Sequence, residues 1–336
     1  MEYRNLGRSG LKVSPLCIGT MMFGGPTNGK TADAIVGSAR DAGVNFIDTA
    51  NGYTRGASEK MVGRLIAKDR DRWVLATKGA ARIGPGPHDR GISRKSLMAF
   101  LDDSLRRLGT DYIDLYYLHK DEEEQGLDEA VATMVDMIRA GKIRYWGVSN
   151  YRGYRHAEIV HVADRLGVPR PAASQPYYNA MNRMPESEIL PACAYYGIGV
   201  VPYSPLARGV LTGKYDPKAA PARDSRAGRA DKRIMETEFR PESLRLAARI
   251  KIYAQARGMT AASFAFAWVL NNPIVTSVIA GPRTLGQWKI YLGALNHDFT
   301  AADEALIDKM VAPGHPSTPG YNDPQYAILG RPAPAS

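Results

Sequence analysis

Two short apolar runs, Trp73-Val74-Leu75-Ala76-Thr77 and Ile113-Asp114-Leu115-Tyr116-Tyr117-Leu118-His119, lie on either side of a longer amphipathic stretch, Ser93 to Leu108. The longer stretch begins with serine and ends immediately before Gly109, and these residue types commonly start and end a helix. The short runs have the length of buried strands. We therefore predict a strand, a helix and a second strand, the unit from which parallel sheets are built.

The same alternation recurs almost from one end of the chain to the other. Eight strands are predicted, at Leu16–Thr20, Val44–Asp48, Trp73–Thr77, Ile113–His119, Ile143–Val148, Ala172–Gln175, Gly199–Pro202 and Val275–Ala280. Eight strand–helix units fit a closed barrel, and 336 residues is a usual length for one such domain. The sequence therefore predicts an α/β fold, a (β/α)8 TIM barrel that forms a single domain over residues 1–336.

Three segments depart from the repeat. Near the N-terminus, Tyr3–Leu6 and Lys12–Val13 flank the turn Gly7-Arg8-Ser9-Gly10, which predicts a β-hairpin that caps the bottom of the barrel. Residues 207–238 interrupt the seventh unit, and residues 312–336 follow the last helix. Long irregular segments of this kind are typical of functional lids or of disordered ends.

The composition is that of an ordinary globular protein, with 44% hydrophobic and 23% charged residues. The formal net charge of +10 could indicate a nucleic-acid partner. The arginines, however, are scattered along helical segments and often lie beside acids, as in Asp69-Arg70-Asp71-Arg72, a pattern typical of solvated helix faces. No nucleic-acid-binding motif accompanies the charge, so we expect no such partner.

Targeting and redox signals are weak. The start Met1-Glu2-Tyr3-Arg4 does not resemble a signal peptide, and the longest apolar stretch, Ala261 to Leu270, is too short to cross a bilayer. We expect a cytoplasmic protein with no membrane contact; the oligomeric state stays open. Cys17 and Cys193 lie in apolar segments without CxxC spacing, so we expect buried thiols and no metal site.

Chemistry in a barrel is carried by the loops at the carboxyl ends of the strands. Asp48 ends the second strand and Tyr53 follows it, Lys78 ends the third strand, and His119 ends the fourth. Each residue alone also has an ordinary structural explanation as a turn former, a packing ring, a surface cation or a hydrogen-bonding imidazole. Together, at the ends of three successive strands, they predict one site.

A single mechanism uses all four side chains. The phenol of Tyr53 would give a proton to a nascent alkoxide, and the ammonium of Lys78 would lower the pKa of that phenol by stabilising the phenolate. Asp48 would hold Lys78 in place and keep it charged. His119 would hydrogen-bond the carbonyl oxygen and orient it.

These residues, in this order and strand context, resemble the Asp-Tyr-Lys-His tetrad of the aldo-keto reductases. The likeness extends from Leu6-Gly7-Arg8-Ser9-Gly10-Leu11 to the helix after the eighth strand. It is greatest toward the bacterial and plant oxidoreductases that also resemble the potassium-channel β-subunits. The resemblance implies hydride transfer between NADPH and an aldehyde or ketone, reversible as alcohol oxidation, with Tyr53 as the general acid and base.

The resemblance also implies how the cofactor is bound. Ser149, Asn150 and Gln175 would hydrogen-bond the nicotinamide carboxamide, and Tyr203 would stack on the nicotinamide ring. Lys214 would pair with the pyrophosphate, and Arg283 with the adenosine 2′-phosphate. The further cofactor contacts that we predict are Gly19, Thr20, Ser204, Pro205, Leu206, Arg208, Gly281 and Gln287. By the same resemblance, residues 207–238 become a cofactor-side loop and residues 312–336 a C-terminal substrate-side flap or tail.

One position departs from the family pattern. Many members have Glu-Asn on the helical turn that grips adenine, whereas this chain has Ile290-Tyr291. We therefore expect the adenine to stack on Tyr291. The preference for NADPH/NADP+ rests mainly on Arg283, and NADH stays possible.

The substrate is predicted only as a class. Met21, Phe23 and Tyr178 are the expected substrate contacts, and such apolar and aromatic walls favour a hydrophobic carbonyl or alcohol substrate. An NADPH-binding module that reports redox state to a partner, as in the channel β-subunits, is the main alternative. A different barrel enzyme, such as an isomerase or lyase, is a third possibility.

Overall fold

The computed structural model describes residues 1–122 and 126–326 of the chain. Its strands are β1 (Arg4–Asn5), β2 (Lys12–Val13), β3 (Leu16–Gly19), β4 (Phe46–Asp48), β5 (Val74–Gly79), β6 (Ile113–Leu118), β7 (Ile143–Ser149), β8 (Ala173–Gln175), β9 (Gly199–Val200) and β10 (Val278–Ala280). The last eight form one parallel sheet in the order β10-β3-β4-β5-β6-β7-β8-β9. The predicted (β/α)8 barrel fold is confirmed.

The two ends of this sheet meet beyond the short strands β9 and β10. A parallel bridge joins Val200 to Val275. The backbone N–H of Thr276 donates to the Val200 carbonyl at 2.9 Å, and that of Ile279 donates to the Pro202 carbonyl at 3.0 Å. These bonds close the barrel. Both strands are shorter than predicted, and the proline at position 202 has no N–H to extend the ladder.

Helices cover the outside of the sheet. They are α1 (Gly29–Asp41), α2 (Ala57–Ile66), α3 (Arg94–Leu108), α4 (Leu127–Arg139), α5 (Gly153–Arg165), α6 (Ile189–Tyr196), α7 (Lys232–Thr237), α8 (Pro241–Ala256), α9 (Ala261–Asn271), α10 (Leu285–Ala294) and α11 (Ala301–Met310). The Ser93 side chain accepts from the Ser96 N–H at the start of α3, and Gly109 ends that helix in the left-handed conformation. Both ends of α3 therefore lie where serine and glycine predicted them.

The antiparallel hairpin β1–β2 closes the bottom of the barrel, as predicted. Its apolar side chains, Leu6 and Val13, are fully buried among the inward-pointing residues of the strands. The backbone N–H of Arg8 donates to the Gly197 carbonyl at 2.9 Å. Gly7 has a φ of +59°, and a Cβ there would lie 2.5 Å from the Gly197 carbonyl oxygen, so only glycine permits this contact.

Two further features concern the described residues alone. None of their helices is long and apolar enough to span a membrane. Within the same residues no three His, Cys, Asp or Glu side chains come together to hold a metal ion. Cys17 and Cys193 are both buried free thiols.

Candidate active site

The four residues of the predicted tetrad meet at the carboxyl end of three neighbouring strands. Asp48 ends β4, Lys78 lies in β5, and His119 immediately follows β6. These strands are hydrogen-bonded in the order β4-β5-β6, which brings their ends to one rim. Tyr53 begins a 3-10 turn that runs from Tyr53 to Gly56, between β4 and α2.

The ammonium group of Lys78 is at the centre of the site. It is fully buried and donates to Asp48 Oδ1, to the Thr49 carbonyl at 2.7 Å and to Tyr53 Oη at 3.4 Å. An ammonium has three N–H donors, and here each has an oxygen partner. The position of Lys78 is therefore fixed, with its charge directed toward the phenol of Tyr53.

The charges of Asp48 and Lys78 depend on each other. Burial lowers the pKa of Lys78, but Asp48 and Tyr53 together raise it by more, so the pKa ends above its ordinary value. Burial raises the pKa of Asp48, and Lys78 and a hydrogen bond from Gln175 oppose that rise only in part, so the pKa ends above its ordinary value. We take the pair as ionised near neutral pH, because neutralising either partner would leave the other charge buried without compensation.

The pKa of Tyr53 differs from the sequence-based expectation. Lys78 lowers this pKa, as predicted, but desolvation of the buried phenol raises it by more. The net shift is upward, so the predicted net lowering is wrong. The physical reason is that the sequence indicated a neighbouring cation but not the complete burial of the hydroxyl. Tyr53 is consequently a protonated donor at neutral pH.

His119 is a neutral imidazole in this site. Burial, followed by the nearby charge of Lys78, lowers the pKa of His119 to about 3. Its ring meets the Tyr53 ring edge to face, with the centroids 5.8 Å apart. Its Nδ1 is buried without a hydrogen-bond partner among the described residues. The residue itself contributes to the wall of the cavity at this rim.

The site opens into a cavity of about 630 Å³. Asp48, Tyr53, His119 and Met21 contribute to its wall, whereas Lys78 lies behind Asp48 and Tyr53. Every predicted cofactor residue lines the cavity: Gly19, Thr20, Ser149, Asn150, Gln175, Tyr203, Ser204, Pro205, Leu206, Arg208, Lys214, Gly281, Arg283 and Gln287. The structure thus brings these residues together, and their individual roles remain predictions.

The residues predicted to bind the carboxamide form one hydrogen-bonded group. The Asn150 amide nitrogen donates to the His119 carbonyl at 2.9 Å and to Ser149 Oγ at 3.0 Å. Its Oδ1 accepts from the Tyr203 hydroxyl at 2.7 Å, and Ser149 Oγ donates to the Gln175 carbonyl at 2.9 Å. Asn150 has a φ of +63°, a conformation that asparagine tolerates better than most residues. The group links β7, β8 and the rim of the active site.

Two predicted substrate contacts do not reach the cavity. Phe23 is fully buried in the outer hydrophobic core. Tyr178 is buried outside the barrel, where its hydroxyl donates to Glu186 Oε1 at 2.7 Å and its ring packs on Trp268. The preceding residue, Tyr177, lies on the other side of the chain and stacks on the cavity residue Tyr203, with the ring centroids 5.4 Å apart. Successive residues of an extended chain point to opposite sides, so a shift of one position changes the face.

The cavity also has wall residues that were not predicted individually, although most of them lie in the predicted loop 207–238 and flap 312–336. They include Pro26, Gly209, Thr212, Arg226, Arg229, Asp231, Arg233, Ala262, Ile279, Gln325 and Tyr326. The arginines lie in the irregular segment 207–238, whose high arginine content was a usable signal for a binding site of anions. Ile290 and Tyr291 also line the cavity.

Cations dominate one side of this cavity. Arg226 pairs with Asp231 at 3.0 Å, and Arg233 pairs with Asp323 at 2.6 Å. The remaining cavity cations are Arg208, Lys214, Arg229 and Arg283, and none of these four has an ion-pair partner within residues 1–122 and 126–326. Burial lowers the pKa of Arg208, and the charge of the neighbouring Arg233 lowers it further. Uncompensated cations that line a cleft are suited to a ligand with several phosphate groups.

The four rim residues and the cationic cleft form one continuous site at the carboxyl end of a (β/α)8 barrel. The chain belongs to the Aldo/keto reductase family, whose model matches residues 15–312. This finding confirms the resemblance read from the tetrad and supports an oxidoreductase.

Individual relatives cover most of the chain. A probable voltage-gated potassium channel subunit beta of Arabidopsis thaliana is 39% identical over 286 residues, which is 84% of this chain and 87% of that protein. The L-glyceraldehyde 3-phosphate reductase of Escherichia coli is 35% identical over 329 residues, 94% of this chain and 93% of that protein. The uncharacterized oxidoreductase YrpG of Bacillus subtilis is 38% identical over 323 residues, 93% and 94% of the two chains.

Proposed function

We propose that the protein reduces an aldehyde or ketone with NADPH and catalyses the reverse oxidation of the alcohol. The observation that carries the proposal is the phenol of Tyr53, 3.4 Å from the Lys78 ammonium and edge to face with the neutral ring of His119. Family membership and the oxidoreductase and reductase relatives support the reaction class.

The residues of the cavity fit NADPH. Four cations that have no ion pair in the described part of the chain offer charges for its phosphates: Arg208, Lys214 and Arg229 for the pyrophosphate, and Arg283 for the 2′-phosphate. Tyr203 and the group around Asn150 offer a ring and amide partners for the nicotinamide. NADH would forgo only the Arg283 contact and stays an alternative donor. Bound NADPH supplies the hydride.

The tetrad then handles the proton. Tyr53 donates its proton to the oxygen of the substrate as that oxygen gains negative charge. Lys78 stabilises the resulting phenolate, and Asp48 keeps Lys78 charged and in place. A ring nitrogen of the neutral His119 donates a hydrogen bond to the same oxygen and orients the carbonyl group. In the reverse direction the Tyr53 phenolate takes the proton back.

We propose that two segments cover the bound cofactor in one continuous barrel domain over residues 1–336. They are the cofactor-side loop 207–238 and the C-terminal flap 312–336, of which residues 327–336 lie outside the described residues. Arg233 of the loop makes two hydrogen bonds to Asp323 of the flap, at 3.0 and 2.6 Å. On the opposite side, Arg152 donates to the Tyr326 carbonyl at 2.7 Å. The flap is thus tied down on both sides of the cavity mouth.

The substrate class follows from the wall near Tyr53. Met21, Met22 and Pro26 line the cavity there, which favours a hydrophobic aldehyde or ketone. The L-glyceraldehyde 3-phosphate reductase relative suggests a phosphorylated aldehyde as a second substrate to assay. A comparison of an aromatic aldehyde with a phosphorylated one separates the two preferences.

The decisive experiment is the loss of nicotinamide absorbance when the pure protein meets an activated aromatic aldehyde, with NADPH and NADH side by side. Tyr53→Phe should bind NADPH normally and lose roughly 100- to 10,000-fold in turnover, the usual contribution of general acid catalysis. Turnover that survives in the variant would overturn the role of Tyr53.

The likeness to a probable channel subunit beta supports a second candidate function, an NADPH-binding module that reports redox state to a partner. Tight binding of NADPH without turnover of any carbonyl would favour this module. The complete tetrad favours the enzyme.

A further inference from the structure

We propose that Glu59 and Arg107 form a positioning ion pair that sets the separation of Tyr53 and Lys78. The inference rests on the proposed function for its kinetic consequence and on the structure for the geometry. Neither residue lines the cavity. Both lie behind the tetrad, between α2, α3 and β5.

The pair joins a fully buried carboxylate to a partly buried guanidinium. The carboxylate of Glu59 has no exposed surface, and Arg107 Nε donates to its Oε2 at 2.6 Å. Arg107 also donates to Ser104 Oγ at 3.3 Å. Buried ion pairs contribute little net stability in comparison with apolar packing and are better suited to fixing one arrangement.

One arm of the pair holds the strand that carries Lys78. The hydroxyl of Thr77 donates to Glu59 Oε1 at 2.6 Å. Thr77 precedes Lys78 on β5, and successive strand residues point to opposite faces of the sheet. The bond outside the barrel therefore fixes the direction in which the Lys78 side chain points inside it.

The other arm holds the turn that carries Tyr53. In this turn Thr54, Arg55 and Gly56 have φ values of 45°, 54° and 85°. Left-handed conformations of non-glycine residues cost free energy and persist only where neighbouring structure holds them. Arg107 supplies such a neighbour, because a Cβ added at Gly56 would lie 2.9 Å from Arg107 Cδ.

The two arms meet at one carboxylate. Through Thr77, Glu59 fixes the position of the proton donor's cationic partner. Glu59 also lies in the first turn of α2 and bonds Arg107, and by both routes it holds the turn that carries the proton donor Tyr53. A displacement of about 1 Å between reacting groups can cost roughly 100-fold in rate, so this carboxylate should affect turnover without touching a ligand.

The test compares Glu59→Gln, Thr77→Val and a matched control, Asp103→Asn. Glu59→Gln keeps the shape and removes the charge that holds Arg107, whereas Thr77→Val removes only the hydroxyl bond and leaves the ion pair. Asp103 is an exposed carboxylate 4.0 Å from the same arginine. We expect kcat to fall roughly 10- to 100-fold in Glu59→Gln and less in Thr77→Val. KM and NADPH affinity should change little, and the control should match the parent protein.

A crystal structure of each variant gives a readout that does not depend on activity. The expected result is a Tyr53 Oη to Lys78 Nζ separation beyond hydrogen-bonding distance. An unchanged separation and an unchanged kcat, with only a lower melting temperature, would overturn the proposal and leave a purely structural pair. If Glu59→Gln does not fold, Thr77→Val decides by the same criteria. If the parent protein reduces no carbonyl, the proposed function fails, while the separation still decides the positioning role.

Discussion

The amide nitrogen of Gln175 lies 3.0 Å from Asp48 Oδ2, while the other oxygen of that carboxylate accepts from Lys78. Gln175 is therefore more than the carboxamide contact that the family resemblance implies. It also stabilises the charged form of Asp48, the carboxylate of the tetrad. The cofactor side and the proton-transfer side of the site share this one bond.

Loss of this bond should shift the pH dependence of turnover. Gln175 lowers the pKa of Asp48, so Gln175→Leu should raise it. The proposed mechanism needs the ionised carboxylate of Asp48. When the pH is lowered, the variant should therefore lose activity at a higher pH than the parent protein does. We expect a larger relative loss of kcat near about pH 5 than near about pH 8. The measurement is a kcat–pH profile.

The matched control for this profile is Ser174→Ala on the same strand. Ser174 Oγ bonds His156 on the outside of the barrel at 2.8 Å and does not line the cavity. Its profile should follow the parent protein. Parallel profiles for Gln175→Leu and the parent would contradict the linkage to Asp48.

The depressed pKa of His119 should appear in the stability of the protein. The folded-state pKa is about 3, against an unfolded value of about 6.5. The contribution of His119 is therefore fully present above about pH 6.5 and is lost as the pH falls toward about 3, because only the unfolded state binds the proton. Relative to His119→Gln, the parent protein should lose about 2 to 3 kcal/mol of unfolding free energy between about pH 8 and pH 4.5.

Urea unfolding at these two pH values measures the difference. His161, exposed on α5, provides the control variant His161→Gln. An equal pH dependence in the parent protein and in His119→Gln would show that His119 is not held neutral by the fold.

That the four tetrad residues lie together could be predicted from the sequence, because three of them lie at or next to strand ends, and strand ends are visible as short apolar runs. Whether the side chain of a loop residue faces the cavity or the outer core was less easily predicted. Tyr178 is predicted as a substrate contact but lies on the outer side, because the start of the loop after β8 cannot be located to one residue from its apolar pattern. Phe23 lies in a similar loop and points into the outer core.

The pKa of Tyr53 and the individual cavity arginines Arg226, Arg229 and Arg233 also escaped prediction, for a different reason. Net shifts depend on how completely a group is desolvated, and burial of a hydroxyl is a property of the assembled barrel. Arg233 lies far along the chain from Asp323, so their ion pair has no local signature. The excess of arginine in 207–238 was visible, but which of them face a ligand was not.

Arg283 should set the preference between the two nicotinamide cofactors. Its guanidinium lines the cavity without an ion pair among the described residues, so a 2′-phosphate would have an uncompensated partner. Arg283→Ala should weaken NADPH binding roughly 10- to 100-fold and leave NADH binding nearly unchanged. Fluorescence titration with both nucleotides measures this. Lys289→Ala, an exposed change on α10, the helix that follows Arg283, is the control, and an equal loss for both nucleotides would contradict the assignment.

The ion pair between Arg233 and Asp323 should control access to the cofactor cavity. Both side chains are largely buried, with exposures of 19% and 11%, and the pair joins the cofactor-side loop to the flap. Asp323→Asn should therefore raise the association and dissociation rates of NADPH together, roughly tenfold each, because both processes need the cover to open. Stopped-flow fluorescence gives the two rates. Asp308 is an exposed acid on α11 that pairs with Arg183, and Asp308→Asn should change neither rate. Faster dissociation without faster association would indicate a direct loss of cofactor contacts instead of an opened cover.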